Sequence, residues 1–251
     1  MGQIGLAMKF ARRQRRAFAS SYRKLRNRAP VPGDAGNGVR LARFFEHLDL
    51  WAVDHGIFRF AYLNLHEVAP GVWRSAQPGP RDIRRLAKRG VRTIINLRGE
   101  RDCGSYRLEQ EACRRHGVQL VDFKMRSRGV PKKETIHQAA ALFERVRYPV
   151  LIHCKSGADR AGMMGALYLL LREGRPVEDA MRQLSLKYGH FKQADTGVLD
   201  HFFASYRAAN ARQPIDFMTW VNEKYDPGEV AATFRARGIT NFIVNRLLKR
   251  E

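Results

Sequence analysis

The stretch Val150-Leu151-Ile152-His153-Cys154-Lys155-Ser156-Gly157-Ala158-Asp159-Arg160-Ala161-Gly162 limits what this chain can become more than any other. Residues 150–152 are β-branched or leucine side chains directly after Pro149, as in a strand covered on both faces. The run Arg160 to Leu171 is apolar on nearly every side and carries Gly162 and Gly165 for close packing, which predicts a buried helix. A buried strand and a buried helix leave the chemistry to the turn between them.

That turn has the parts of an oxyanion cradle. A loop entering a helix N-terminus offers unpaired backbone N–H groups and the positive end of the helix dipole. Gly157 permits the backbone angles that turn successive amides inward. Arg160 adds a planar fork able to hold two phosphate oxygens. The same field favours the thiolate of Cys154, the nucleophilic form of a cysteine beneath a bound anion. The backbones of Lys155, Ser156, Gly157, Ala158 and Asp159, with Arg160, are therefore the expected phosphate-binding set.

His153-Cys154-x5-Arg160 resembles the signature loop of the cysteine-based protein tyrosine phosphatase superfamily, and His-Cys-Lys-Ser-Gly-Ala-Asp-Arg looks like its bacterial dual-specificity branch. Trp73-Arg74-Ser75-Ala76-Gln77-Pro78 and Ile94-Ile95-Asn96-Leu97-Arg98-Gly99-Glu100 resemble upstream segments of that branch. The resemblance implies phosphomonoester hydrolysis through a cysteinyl-phosphate, with His153 hydrogen-bonding within the loop. Lys155 beside the phosphate resembles lipid and phosphoinositide phosphatases of the superfamily. One position departs from the pattern: after the arginine the family usually has Ser or Thr, and this chain has Ala161.

The leaving oxygen needs a proton, and a carboxylic acid within hydrogen-bond reach can supply it and later take one from water. Asp122 is the first candidate, because its separation from Cys154 resembles that of the acid in dual-specificity phosphatases. Asp159, inside the loop, is the competing candidate and resembles the acid of myotubularin-type and some bacterial enzymes. Arg98 and Arg126 are weaker candidates for lining the entrance. No metal or other cofactor is expected, since Arg160, the loop amides and the helix dipole supply the positive charge. Cys103, Cys113 and His116 match no common zinc spacing.

Around the loop the chain alternates strand and helix, which predicts an α/β fold: a mostly parallel central sheet flanked by helices, with added N- and C-terminal helices. Strands are expected near Val72–Arg74, Val91–Leu97, Val118–Phe123 and Val150–His153. Helices are expected over Pro80–Arg89, Ser105–His116, Lys133–Val146, Arg160–Arg172, Val177–Tyr188 and Asp195–Ala209. Loops after parallel strands gather at one sheet edge, so Arg98, Asp122 and Cys154 should converge. The expected organisation is a basic tail and linker over 1–38, an aromatic-rich helical segment over 39–64, a catalytic domain over 65–210 and a helical C-terminal extension over 211–251.

Charge bears on partners rather than on fold. The net charge of +22 favours phosphorylated protein, anionic lipid or nucleic acid. Residues 1–28 hold nine Lys or Arg and no acid, and Ile4, Met8, Ala11, Phe18, Tyr22 and Leu25 form a helical stripe interrupted by Arg15. A basic amphipathic helix on anionic lipid and a solvated basic tail both fit that pattern. The charges follow the first apolar run rather than precede it, unlike a secretory signal. Three cysteines without paired spacing fit a reducing compartment, and Cys103 or Cys113 is a candidate for a reversible disulfide with Cys154. The expected location is the cytoplasm, on the inner face of its membrane if the tail docks there. A phosphatase of phosphorylated protein is the leading expectation. A phosphatase of membrane-borne phosphoinositide-like or lipid A phosphates is the first alternative, and a phosphate- or nucleic-acid-binding module without turnover the second. No nucleic-acid motif is present, so a nucleic-acid partner is not expected.

Overall fold

The computed structural model describes residues 63–235. The basic stripe, the linker, the aromatic-rich segment through Tyr62 and the basic end after Arg235 lie outside the described residues. The described residues fall into two compact units, Arg101–Glu111 and the remainder. The larger unit holds the sheet and the signature loop.

Its centre is a five-stranded sheet: β1 (His66–Ala69), β2 (Val72–Ser75), β3 (Thr93–Asn96), β4 (Gln119–Asp122) and β5 (Val150–His153), in the order β1-β2-β5-β3-β4. Only the β1–β2 pair is antiparallel. The expected mostly parallel α/β sheet is present. All four residues of β3 and of β5 are buried, as the unbroken apolar run of β5 requires. β1 is not among the expected strands: His-Glu-Val-Ala is short and half polar, and its register slips between Glu67 and Ala69.

Alternate side chains of each strand feed different layers. On one face Ile94 and Leu151 meet Ile83 and Leu86 of α1 (Pro80–Lys88), together with Ala112 and Cys113 of α2 (Gly104–His116). On the other, Val72, Ile95 and Ile152 meet α3 (Lys133–Arg145) and α4 (Asp159–Leu171). Every residue of α4 from Ala161 to Leu169 is buried, which is why that helix is apolar all round. Cys113 and Cys154 thus belong to cores on opposite faces of the sheet, and none of the three cysteines forms a disulfide. A disulfide between Cys113 and Cys154 is excluded by the sheet itself.

The expected helix Val177–Tyr188 is broken. It runs only over α5 (Val177–Met181), followed by a 3-10 turn at Leu186–Tyr188. The Gln183 carbonyl is taken by the Arg74 guanidinium at 2.5 Å, and Ser185 is extended at φ −141°. A tertiary bond overrides the helical pattern. A second 3-10 turn, Asp195–Gly197, leads into α6 (Val198–Arg212).

The described part of the expected C-terminal helical extension packs into the core. α7 (Phe217–Glu223) starts at Asp216, whose carboxylate accepts from the backbone N–H of Met218 and Thr219, an N-cap of the usual kind. Phe217, Trp220, Val221 and Tyr225 are buried in the same cluster as α4 and α6. Phe202 is fully buried, with ring centroids 5.0 Å from Phe203, 5.0 Å from Tyr225 and 5.6 Å from Trp220. Residues 227–235 are helical. Truncating a buried phenylalanine removes its transfer energy and leaves a cavity. Phe202→Ala is expected to lower unfolding free energy in urea by about 3–5 kcal/mol.

Candidate active site

Parallel register assembles the site before any side chain is considered. Ser75 pairs with His153, His153 with Asn96, and Asn96 with Asp122. These four residues form one row at the C-terminal edge of the sheet, and Cys154 is the next residue beyond the central strand. Asp122 ends the edge strand, two strands from β5, so its backbone stands about 10 Å from that of the cysteine strand. Convergence of Asp122 and Cys154 at one edge is as the alternating pattern predicts.

Cys154 is 2 % exposed. Between it and α4 the loop is held by its carbonyls. The Arg74 Nη2 donates to the Gly157 carbonyl at 2.6 Å and to the Ala158 carbonyl at 2.8 Å. Asn64 Nδ2 donates to the Ser156 carbonyl at 2.9 Å and to that of Tyr188 at 3.0 Å. In a planar trans peptide the C=O and N–H point in opposite directions. Tying back the carbonyls of Ser156, Gly157 and Ala158 therefore turns the N–H groups of Gly157, Ala158 and Asp159 away from these anchors. That is the orientation an oxyanion cradle needs, and it is imposed by residues to which the sequence pattern assigns no such part.

Arg74 is fully buried. Its Nη1 also donates to Gln183 Oε1 at 2.9 Å, and its guanidinium carbon lies 4.1 Å over the Tyr188 ring. Burial pushes its pKa down to about 10, against the opposing effects of Tyr188, Cys154 and Asp159; it stays charged at neutral pH. Asn64 adopts the left-handed region at φ 51° and receives support from His66, whose Nε2 is 2.9 Å from its Oδ1. The segment over 39–64 is expected to end as helix, whereas Asn64 is a buried non-helical anchor. In the sequence Arg74 stands out only as part of a resemblance. A signal for it is nevertheless there, an arginine on a strand otherwise built for burial.

Gly157 has φ +76°, and a Cβ there would lie 2.6 Å from the Ala76 backbone nitrogen. No other residue fits without moving backbone. At Gly162 a Cβ would stand 2.6 Å from the Gln183 carbonyl oxygen, so the close approach of α4 to the Arg74 partner also requires glycine.

The remaining expected residues divide. Arg160 is half-buried at the first turn of α4, and its Nη1 donates to the Leu97 carbonyl at 3.3 Å. Lys155 is half-buried and Ser156 exposed, while Ala158 is 4 % exposed. His153 is fully buried with Nδ1 3.2 Å from the Cys154 carbonyl, a contact within the loop as the resemblance implies. Asn96 Nδ2 donates to Asp122 Oδ1 at 2.7 Å, and Asp122 is otherwise exposed. Arg98 is in the wall rather than at the entrance: it is buried, and its Nη1 donates to Gln77. Arg126 is exposed.

Asp159 is engaged by a buried histidine. Its Oδ1 lies 2.7 Å from Nδ1 of His190, whose Nε2 lies 2.5 Å from Asp200 Oδ2. His190 is fully buried, and its pKa rises to about 9 because its bonds to Asp159 and Asp200 outweigh the cost of burial. Neither His190 nor Asp200 is identified by the sequence pattern.

The family model for the DSP-PTPase phosphatase fused to NAD+ kinase matches residues 63–199. The chain belongs to this phosphatase family. Two curated relatives are the dual specificity protein phosphatases TpbA of Pseudomonas aeruginosa. The strain UCBPP-PA14 protein is 24% identical over 123 residues, 49% of this chain and 53% of the relative. The strain PAO1 protein is 24% identical over 134 residues, 53% of this chain and 57% of the relative. The chain spans about half the length of the curated relatives it matches. Among solved structures, P. aeruginosa TpbA has a TM-score of 0.47 at 22% identity, covering 59% of this chain and 91% of that one. The core catalytic domain of the PP-IP phosphatase SIW14 from S. cerevisiae has 0.46 at 16%, covering 61% and 96%.

Among the described residues, no group of His, Cys, Asp and Glu is arranged to hold a metal ion, and no helix is long and apolar enough to cross a membrane. A cavity of about 750 Å³ opens beside α6 and α7, lined by His201, Arg212, Trp220 and Glu229 among others. None of its lining residues belongs to the signature loop.

The His190 pair makes stability depend on pH. Its folded pKa is about 9 against an ordinary 6.5, so its contribution is complete below pH 6.5 and is lost as pH rises toward 9. In urea titrations the wild-type midpoint is expected to fall across this interval, and His190→Gln is expected to flatten that part of the curve.

Proposed function

We propose that this chain is a cysteine-dependent phosphatase, hydrolysing phosphomonoesters of the tyrosine or dual-specificity protein type through a cysteinyl-phosphate. The observation that carries this reading is Cys154 at the end of the central strand, below a loop whose carbonyls are pinned by Arg74 and Asn64. The kinship with a dual specificity protein phosphatase supports it. Phosphorylated protein is then the substrate.

The substrate phosphoryl group is held by the backbone amides from Lys155 to Asp159 and by the Arg160 fork, which must leave Leu97 or share it. Cys154 Sγ attacks phosphorus; the S–P bond forms as the bond to the leaving oxygen breaks. Asp122 gives its proton to that oxygen. Water then attacks the phosphorus and yields a proton to the Asp122 carboxylate, the S–P bond breaks, and thiolate and inorganic phosphate leave. Asp122 is preferred over Asp159 as the acid because the Asp159 carboxylate is already engaged by His190 at 2.7 Å. Its exposed position at the sheet edge also lets it meet a leaving group that projects out of the loop.

Phosphate release from a phosphotyrosine peptide by wild type, Cys154→Ser and Asp122→Asn tests the scheme. Cys154→Ser should abolish turnover, and Asp122→Asn should lower kcat by about 10²–10⁴-fold. Retained turnover in Cys154→Ser would remove the cysteine mechanism, and loss in Asp159→Asn but not in Asp122→Asn would reassign the acid. Stronger release from phosphoinositide vesicles than from peptide would favour a membrane-borne substrate.

Ala161 is fully buried in the same core as Cys154 and brings no hydroxyl to ease departure of the thiolate. Breakdown of the cysteinyl-phosphate should therefore limit turnover. Rapid mixing with p-nitrophenyl phosphate is expected to give a burst of nitrophenol close to one per enzyme, which Ala161→Ser diminishes while raising the steady rate. A linear onset in wild type would count against this.

A further inference from the structure

Asp159 is a liability in a loop that receives a phosphate dianion. It opens α4 next to Arg160, its side chain is 27% exposed, and a carboxylate there repels the anion that the amides and Arg160 attract. Facing it is His190, fully buried and held at both ring nitrogens: Nδ1 at 2.7 Å from Asp159 and Nε2 at 2.5 Å from Asp200. Neutral imidazole has one donor and one acceptor, so it would set a lone pair against one of the two carboxylates. Only the imidazolium donates to both.

Charged groups of both signs surround the ring, and the two carboxylates are the ones that favour the imidazolium. Asp159 comes from α4 and Asp200 from α6, and Lys192, on the ring's own loop, places Nζ 3.7 Å from Asp200 Oδ1. Arg74, beneath the loop, adds positive field at Asp159. Two carboxylates are thus matched by the imidazolium and Lys192. The segment that carries His190 is also fastened to the signature loop a second time, because the Asn64 amide joins the carbonyls of Tyr188 and Ser156. The ring is therefore fixed relative to the loop and does not depend on a mobile side chain meeting Asp159 by chance.

We propose that His190 is a positioning residue which, as imidazolium, turns Asp159 aside and cancels its charge, so that the signature loop keeps its affinity for a phosphate dianion. This rests on the reading of that loop as the phosphate site. The raised pKa of His190, about 9, keeps the device charged throughout the neutral range. His190 need not touch substrate; it acts through Asp159.

The test is a double-mutant cycle on the full chain, with inorganic phosphate as ligand in calorimetry at pH 7.5 and p-nitrophenyl phosphate turnover measured in parallel. His190→Gln should weaken phosphate binding about tenfold or more, the effect of one uncompensated charge at close range. D159N/H190Q should bind phosphate within about threefold of D159N, because removing the carboxylate removes the need for the cation. A purely structural role for His190 would not be rescued this way, and a double variant no better than H190Q overturns the proposal. If H190Q does not fold, ¹⁵N spectra of wild type and D159N decide. Both His190 ring nitrogens should be protonated in wild type at pH 7.5, and D159N should lower the pH at which the ring titrates by one unit or more; a neutral ring, or an unchanged titration, overturns it. Wild type that binds phosphate and obeys the cycle yet releases no nitrophenol would remove the hydrolase reading and leave His190 in its role. Turnover without rescue would do the reverse.

Discussion

The buried guanidinium of Arg74 is the interaction on which most of the site depends. A charge removed from water needs compensating partners, and the two terminal nitrogens of Arg74 gather oxygens from two distant segments, while its buried Nε has no hydrogen-bond partner among the described residues. It takes the Gly157 and Ala158 carbonyls from the signature loop and both Gln183 oxygens from the turn after α5. Each bond to the loop does two things. It satisfies the charge, and it reverses a peptide so that its N–H faces the other way. Gly162 lets α4 come close enough for this meeting, since a Cβ there would stand 3.1 Å from Arg74 Nη2. Lysine could not substitute, because it lacks the planar fork that reaches several carbonyls at fixed angles.

Acidic and basic groups are segregated around the same loop. Anion-attracting elements, the amides and Arg160, lie on the loop itself, whereas Asp159 is drawn toward His190 and Asp200. Asp122 is held apart from this pair, tied to Asn96 at the end of the edge strand. The two aspartates offered by the sequence as acids thus occupy different electrostatic settings: Asp159 faces His190, and Asp122 is exposed and accepts from the Asn96 amide. Separate environments of this kind are how one fold assigns separate roles to like groups.

Much of the architecture is legible in the sequence because it follows from local pattern. The unbroken apolar run of β5, the all-round apolar α4 and the turn between them can be read from residue order, and so can the place of Cys154 and Arg160. β1 escapes because four residues with a register slip carry no period. Val177–Tyr188 reads as too long a helix because apolar spacing cannot reveal that the Gln183 carbonyl is claimed by an arginine more than a hundred positions earlier. Phe217 and Trp220 fall in an expected C-terminal extension because an aromatic helix gives no sign of which core it enters.

The sequence by itself determined the nucleophile candidate, the arginine, the glycine turn and the parallel α/β frame, since each is written in contiguous residues and short-range sterics. Only the tertiary structure decided what holds the loop carbonyls and which aspartate meets a histidine. Arg74, Asn64, His190 and Asp200 come from separate elements and acquire meaning by distance, through burial, charge pairing and directed hydrogen bonds. Such couplings depend on where the chain returns, and residue order alone carries no record of that.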